Sequence, residues 1–74
     1  MITCERCGTN KRPSRHHILP KRFFGGRGQI GHLCVWCHRE IEAIILQEET
    51  RYTAFRSKLP ERIYADIFYN FIQT

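Results

Sequence analysis

The sequence predicts a small α+β domain stapled by zinc, with a helical extension at its C-terminal end. Three observations lead there. The four cysteines form two Cys-x-x-Cys pairs, Cys4–Cys7 and Cys34–Cys37, the spacing of a closed tetrahedral Cys4 zinc site. The chain has 74 residues, few enough that a core alone seldom suffices and a staple is needed. Beyond His38, apolar residues recur at helical spacing, whereas before it they fall in short runs broken by Pro and Gly.

Taken in order, residues 1–10 read as a zinc knuckle, with Gly8 allowing the tight turn that faces both thiolates to one ion. Residues 11–15 read as a basic loop and His16–Leu19 as a strand stopped by Pro20. Phe23 and Phe24 are candidate core anchors, Gly25-Gly26-Arg27-Gly28 is a turn, and Gln29–Leu33 is the returning strand. Trp36, between the second cysteine pair, is expected to shield the zinc, and His32 to be a strand or DNA-facing residue. From His38 a helix should present Ile41, Ile44 and Ile45. Tyr52, Phe55 and Leu59 either continue that face or belong to a short second helix around Thr50. Pro60 and Glu61 suit the first turn of a last helix, whose face carries Ile63, Tyr64, Ile67, Phe68, Phe71 and Ile72.

Charge is unevenly shared. Residues 1–39 hold eight of the twelve basic residues and one acid, Glu5, for a formal +7, whereas residues 40–74 carry −2. A positive half around a metal site suits a polyanion such as DNA. No apolar leader follows Met1 and no run is long enough to span a membrane, so a cytoplasmic setting is expected. In a reducing compartment thiols bind metal more often than they form disulfides.

The histidines are not needed to complete the Cys4 site. His16-His17-Ile18-x-Pro20, a Gly-rich turn, then Leu33-Cys34-x-x-Cys37-His38-x-x-Ile41 resembles the HNH endonuclease family in its Cys4-zinc form. The resemblance covers residues 4 to about 46 and rests on the ordered set rather than on any single piece. It implies a ββα-metal domain over residues 1–49; residues 50–74, which the resemblance does not cover, are expected to pack on it as a helical extension that enlarges a small core. It further implies a phosphodiester hydrolase acting on DNA, cutting one strand per site and so nicking, in a bacterial cell or one infected by a bacteriophage.

By the same resemblance His16 and His38 would bind a catalytic divalent ion (Mn2+, Ni2+, Mg2+ or Zn2+), and His17 would be the general base. Gln29 stands where the family carries an asparagine that braces the loop and the base. Glu42 stands where a further histidine is common. One turn from His38 on the same helix face, Glu42 is either a third ligand or an exposed glutamate. Arg15, Arg22, Arg27 and Arg39 flank the site as candidate phosphate contacts. The alternative is a zinc-stabilised DNA-binding or adaptor module on an inactive scaffold of this type, and a third possibility is an RNA-directed nuclease. Neither a membrane nor a small-molecule substrate is expected.

Overall fold

The structure, a computed structural model, describes residues 2–52 and 58–74. Its elements run β1 (Pro13–His17), α1 (Lys21–Phe24), β2 (Ile30–Cys34), α2 (Val35–Tyr52) and α3 (Glu61–Ile72). β1 and β2 form a two-stranded antiparallel sheet with Pro13 opposite Cys34, Ser14 opposite Leu33, His16 opposite Gly31 and His17 opposite Ile30. This is a small α+β fold. No helix among the described residues is long and apolar enough to cross a membrane.

The first strand starts earlier than expected: Pro13–Arg15 belong to it, not to a basic loop. The reason lies in its partner. Residues 30–34 offer ladder positions only to 13–17, and one further bond from Ile18 N–H to the Gln29 carbonyl closes the pair. Pro20 then caps the one-turn helix α1, its carbonyl accepting from Phe23 and Phe24 N–H. Gly25 ends that turn at φ 65°, a left-handed conformation that glycine adopts without a Cβ penalty. Phe24 is thereby buried, its ring edge-on to Tyr64 at 5.8 Å.

The helix expected from His38 begins three residues sooner, at Val35. The second Cys-x-x-Cys pair is its first turn: Val35 N–H reaches back to the Arg12 carbonyl, and Cys37 N–H points at the Cys34 sulfur. α2 passes through Thr50 without a break, the Thr50 hydroxyl bonding the Leu46 carbonyl one turn back. Its buried stripe is Cys37, Ile41, Ile45 and Glu49, spaced by four, while Ile44 faces outward. Phe55 lies outside the described residues, and Leu59 is buried just before α3 rather than on α2.

α3 follows Pro60 as the sequence indicates and buries Tyr64, Phe68 and Phe71 in one core with Leu33, Ile41 and Ile45. Two contacts lock it in place. The first is polar. Glu49 is fully buried, yet the Arg22 Nη2 donates to both its oxygens at 2.5 and 2.7 Å, and the Tyr64 hydroxyl donates at 2.6 Å. Tyr64 in turn accepts from Leu59 N–H at 3.0 Å. A buried carboxylate is tolerable only with such partners. Burial, reinforced by the Glu49 charge, pushes the Tyr64 hydroxyl up to about 12.

The second contact is steric. Gly31, mid-strand on β2, leaves the space that the Phe68 ring fills; a Cβ there would lie within 2.5 Å of two ring carbons, at least one of them closer still. Gly31→Ala must therefore push Phe68 out of the core. Overpacking of this kind costs about 1–3 kcal/mol, read as a lower urea midpoint. An unchanged midpoint would show that the ring can yield freely.

Candidate metal centres

Two clusters of metal-ligating side chains exist among the described residues: Cys4, Cys7, Cys34 and Cys37, and His16, His38 and Glu42. Within each, one ligand atom per residue lies within 4.8 Å of every other.

The thiol cluster joins the N-terminal loop to the β2–α2 junction. Gly8, at φ 78°, donates its N–H to the Cys4 carbonyl, and Cys4 N–H reaches the Thr9 carbonyl. Cys7 N–H points at the Cys4 sulfur at 3.5 Å, repeating the Cys37–Cys34 arrangement on the other side. Glu5 clamps the loop to β2: its N–H donates to the His32 carbonyl at 2.8 Å, and its side-chain oxygen accepts from His32 N–H at 2.7 Å.

All four cysteines are free, and the Cys7 and Cys34 sulfurs are 3.8 Å apart. A disulfide would need about 2.05 Å. Two sulfurs at about 2.3 Å from one tetrahedral ion sit about 3.8 Å apart. The cluster is compatible with a structural zinc ion. Trp36 does not shield it. The indole is half-exposed on the outer side of α2, with the Arg12 guanidinium 5.8 Å from its centre. Arg6 covers the sulfurs instead, reaching Cys37 at 3.8 Å and Glu40 at 2.5 Å over the Phe71 ring.

The protons in this cluster are unevenly held. Burial would raise the Cys4 thiol, but the N–H groups of Cys7, Cys34 and Arg6 outweigh it and bring Cys4 down to about 6. Burial pushes Cys37 up to about 12 against the pull of Arg6. Cys7 is also raised: the Thr9 backbone N–H favours its thiolate, but the Cys4 sulfur, burial and the Cys34 sulfur together prevail.

The histidine cluster lies across the sheet. His16, on β1, is 1% exposed; its ring stacks on Phe68 at 5.8 Å with a 14° tilt and meets His38 edge-on at 5.2 Å. His38 stands in the first turn of α2 and Glu42 one turn later. Glu42 Oε1 is 3.3 Å from His38 Nε2 and 3.5 Å from His16 Nδ1. The His16 contact is too long for a well-formed hydrogen bond, and neither ring nitrogen of His16 has a hydrogen-bond partner among the described residues. The nearby His16 imidazole, and after it His38, holds the Glu42 carboxyl below the usual carboxylate range, so it is ionised at neutral pH. Two imidazoles and a carboxylate can hold a divalent ion.

These groups open into a cleft of about 230 Å3 that Arg15, His17, Lys21 and Arg22 also line. His17 is half-buried there. Gln29 is elsewhere: its carbonyl takes Ile18 N–H, but its side chain accepts from the Tyr69 hydroxyl at 3.4 Å, in a separate groove beside Ile18 and Leu19. It braces the loop through its backbone, and its amide does not reach the cleft.

Of the four arginines, Arg22 is committed to Glu49, and Arg27 faces Glu61 at 3.6 Å over the Phe24 ring. Arg15 and Arg39 are exposed, Arg15 at the cleft and Arg39 in a shallow groove beside His38 and Glu42. Sequence reasoning passed over Lys21 and Phe68. The glycine inside a strand opposite His16 was the one local signal that something packs closely there.

Zinc binding must expel the protons held by Cys7 and Cys37, so apparent zinc affinity should rise with pH. Calorimetric titration of metal-free protein at pH 7, in buffers of different ionisation enthalpy, should count about two or more protons released per zinc. Release of none would mean that the thiols are already ionised.

Compared with family models, curated proteins and solved structures, the chain gave no match.

Proposed function

We propose that this chain is a metal-dependent endonuclease of the HNH type that hydrolyses phosphodiester bonds in DNA. The observation that carries the reading is His16: an imidazole 1% exposed, with both ring nitrogens unpartnered among the described residues, converging with His38 Nε2 and the Glu42 carboxylate. A buried polar group left so is costly unless something binds it. The cleft beside it is cationic, as a polyanionic substrate requires.

In this reading His16, His38 and Glu42 hold a divalent ion, which would offset the charge gathering on the phosphate. Two nitrogen ligands favour Mn2+, Ni2+ or Zn2+ over Mg2+, which prefers oxygen. His17 takes the proton of the attacking water, a task for which a neutral imidazole is suited. Arg15 and Lys21 grip the phosphates on either side, with Arg39 further along. Arg22 and Arg27 are drawn off into ion pairs, and Gln29 contributes to the frame. One such site cuts one strand, so a monomer nicks.

The second reading, a zinc-stabilised module that binds DNA without cutting it, draws on the Gln29 side chain, which is turned toward Tyr69 and away from the histidines. A plasmid-nicking assay beside a labelled RNA substrate separates the two. Zinc-replete protein should nick supercoiled DNA faster with Mn2+ or Ni2+ than with equal Mg2+. His17→Ala should lower the rate by about 10²- to 10⁴-fold while leaving Mn2+ affinity intact. Wild-type rates in His17→Ala would remove His17 as the base. DNA binding without cleavage of either substrate, whatever the metal, would favour the second reading.

A further inference from the structure

We propose that Ser14 is a positioning residue for the histidine centre: it fixes the tautomer of His38 so that Nε2 carries the lone pair. The inference rests on the reading of His16, His38 and Glu42 as a metal site.

Ser14 lies on β1, two residues before His16, with its side chain partly buried. Its Oγ is 2.8 Å from the Leu33 carbonyl and 2.8 Å from His38 Nδ1. A serine hydroxyl has one proton to give and two lone pairs to accept with. The Leu33 carbonyl can only accept, so the proton goes there. The bond to His38 can then form only if Nδ1–H donates to Oγ. A neutral imidazole protonated at Nδ1 has its lone pair on Nε2. Nε2 is the atom that faces Glu42 at 3.3 Å.

Both partners are delivered by the backbone. Ser14 and Leu33 are opposite one another in the strand register, so the carbonyl that takes the serine proton comes with the sheet. His38 arrives because α2 begins at Val35 and sets it in the first turn. The competing tautomer is the reason a hydroxyl is needed. With its proton on Nε2, His38 would donate to Glu42, and one imidazole and one carboxylate would satisfy each other instead of an ion. Ser14 biases the ring against that closed pair. A group that orients a ligand histidine through its second nitrogen commonly contributes about 10- to 100-fold in metal affinity.

Three measurements on zinc-replete protein test this without DNA. In the first, Mn2+ is titrated by electron paramagnetic resonance. Ser14→Ala should bind about 10- to 100-fold more weakly than wild type, with its zinc content and circular dichroism unchanged. In the second, Ser14→Thr, which keeps the hydroxyl, should recover most of the loss. Equal affinity in wild type and Ser14→Ala overturns the proposal, as does a Ser14→Thr variant no better than Ser14→Ala.

In the third, long-range proton–nitrogen spectra of wild-type protein carrying a second equivalent of Zn2+ should show the His38 proton on Nδ1. A proton on Nε2 overturns the proposal even if Ser14→Ala fails to fold. Wild-type protein that takes up no Mn2+ removes the metal centre and Ser14's role with it. If these binding results hold while no nucleic acid is cut, the positioning role stands and the nuclease reading alone falls.

Discussion

The rest of the molecule hangs on the clustering of four thiols. Cys4 and Cys7 sit in an irregular loop, and Cys34 and Cys37 straddle the point where β2 turns into α2. The cluster holds its protons unevenly: backbone N–H groups outweigh burial and bring the Cys4 thiol down, whereas burial pushes Cys37 up. One zinc ion held by all four would contribute on the order of 10 kcal/mol of apparent binding energy, comparable to a small domain's whole stability. The joint also has a geometric consequence. It makes the second cysteine pair the first helical turn, which sets His38 and Glu42 on the face of α2 that looks toward β1. The thiol and the histidine clusters thus both draw on the first turn of α2.

The C-terminal helix does more than enlarge the core. Phe68 fills the space left open at Gly31 and forms the wall on which His16 stacks. Tyr64 also donates to Glu49, which Arg22 holds from the side of the cleft that it lines. A residue on α3 therefore bears on each side of the histidine cluster, one by packing and one by hydrogen bonding. Residues 1–49 bring the ligands together, but their orientation draws on residues beyond them.

Much of this was legible in the sequence, for physical reasons. Cys-x-x-Cys spacing is dictated by what one tetrahedral ion can reach, so the thiol cluster could be read directly. Pro60 and the wide apolar face after it specified α3, because a twelve-residue helix averages out local noise. The meeting of His16 and His38 was implied by the family resemblance, while Glu42 was left open between ligand and exposed glutamate, one helical turn from His38 on the same face. The misses were short or distant. A five-residue strand and a one-turn helix carry too few positions for periodicity to resolve, which is why β1 was read three residues late and α1 not at all. The start of α2 was hidden because the cysteine pair doubles as its first turn. The fates of Arg22, Arg27 and Gln29 depended on Glu49, Glu61 and Tyr69, partners 27 to 40 residues away that no local pattern can indicate. Trp36 was read as a shield because it lies between two ligands in sequence, yet its position on the helix turns it outward.

The central claim is a division of labour: thiols alone hold the structural ion, which leaves the imidazoles for a second one. X-ray absorption at the zinc edge, on protein carrying one zinc per chain, tests it most directly. The account predicts four sulfur neighbours at about 2.3 Å and no nitrogen. A first shell that includes imidazole nitrogen would contradict it, because His16 or His38 would then belong to the staple and the second centre would lose its frame.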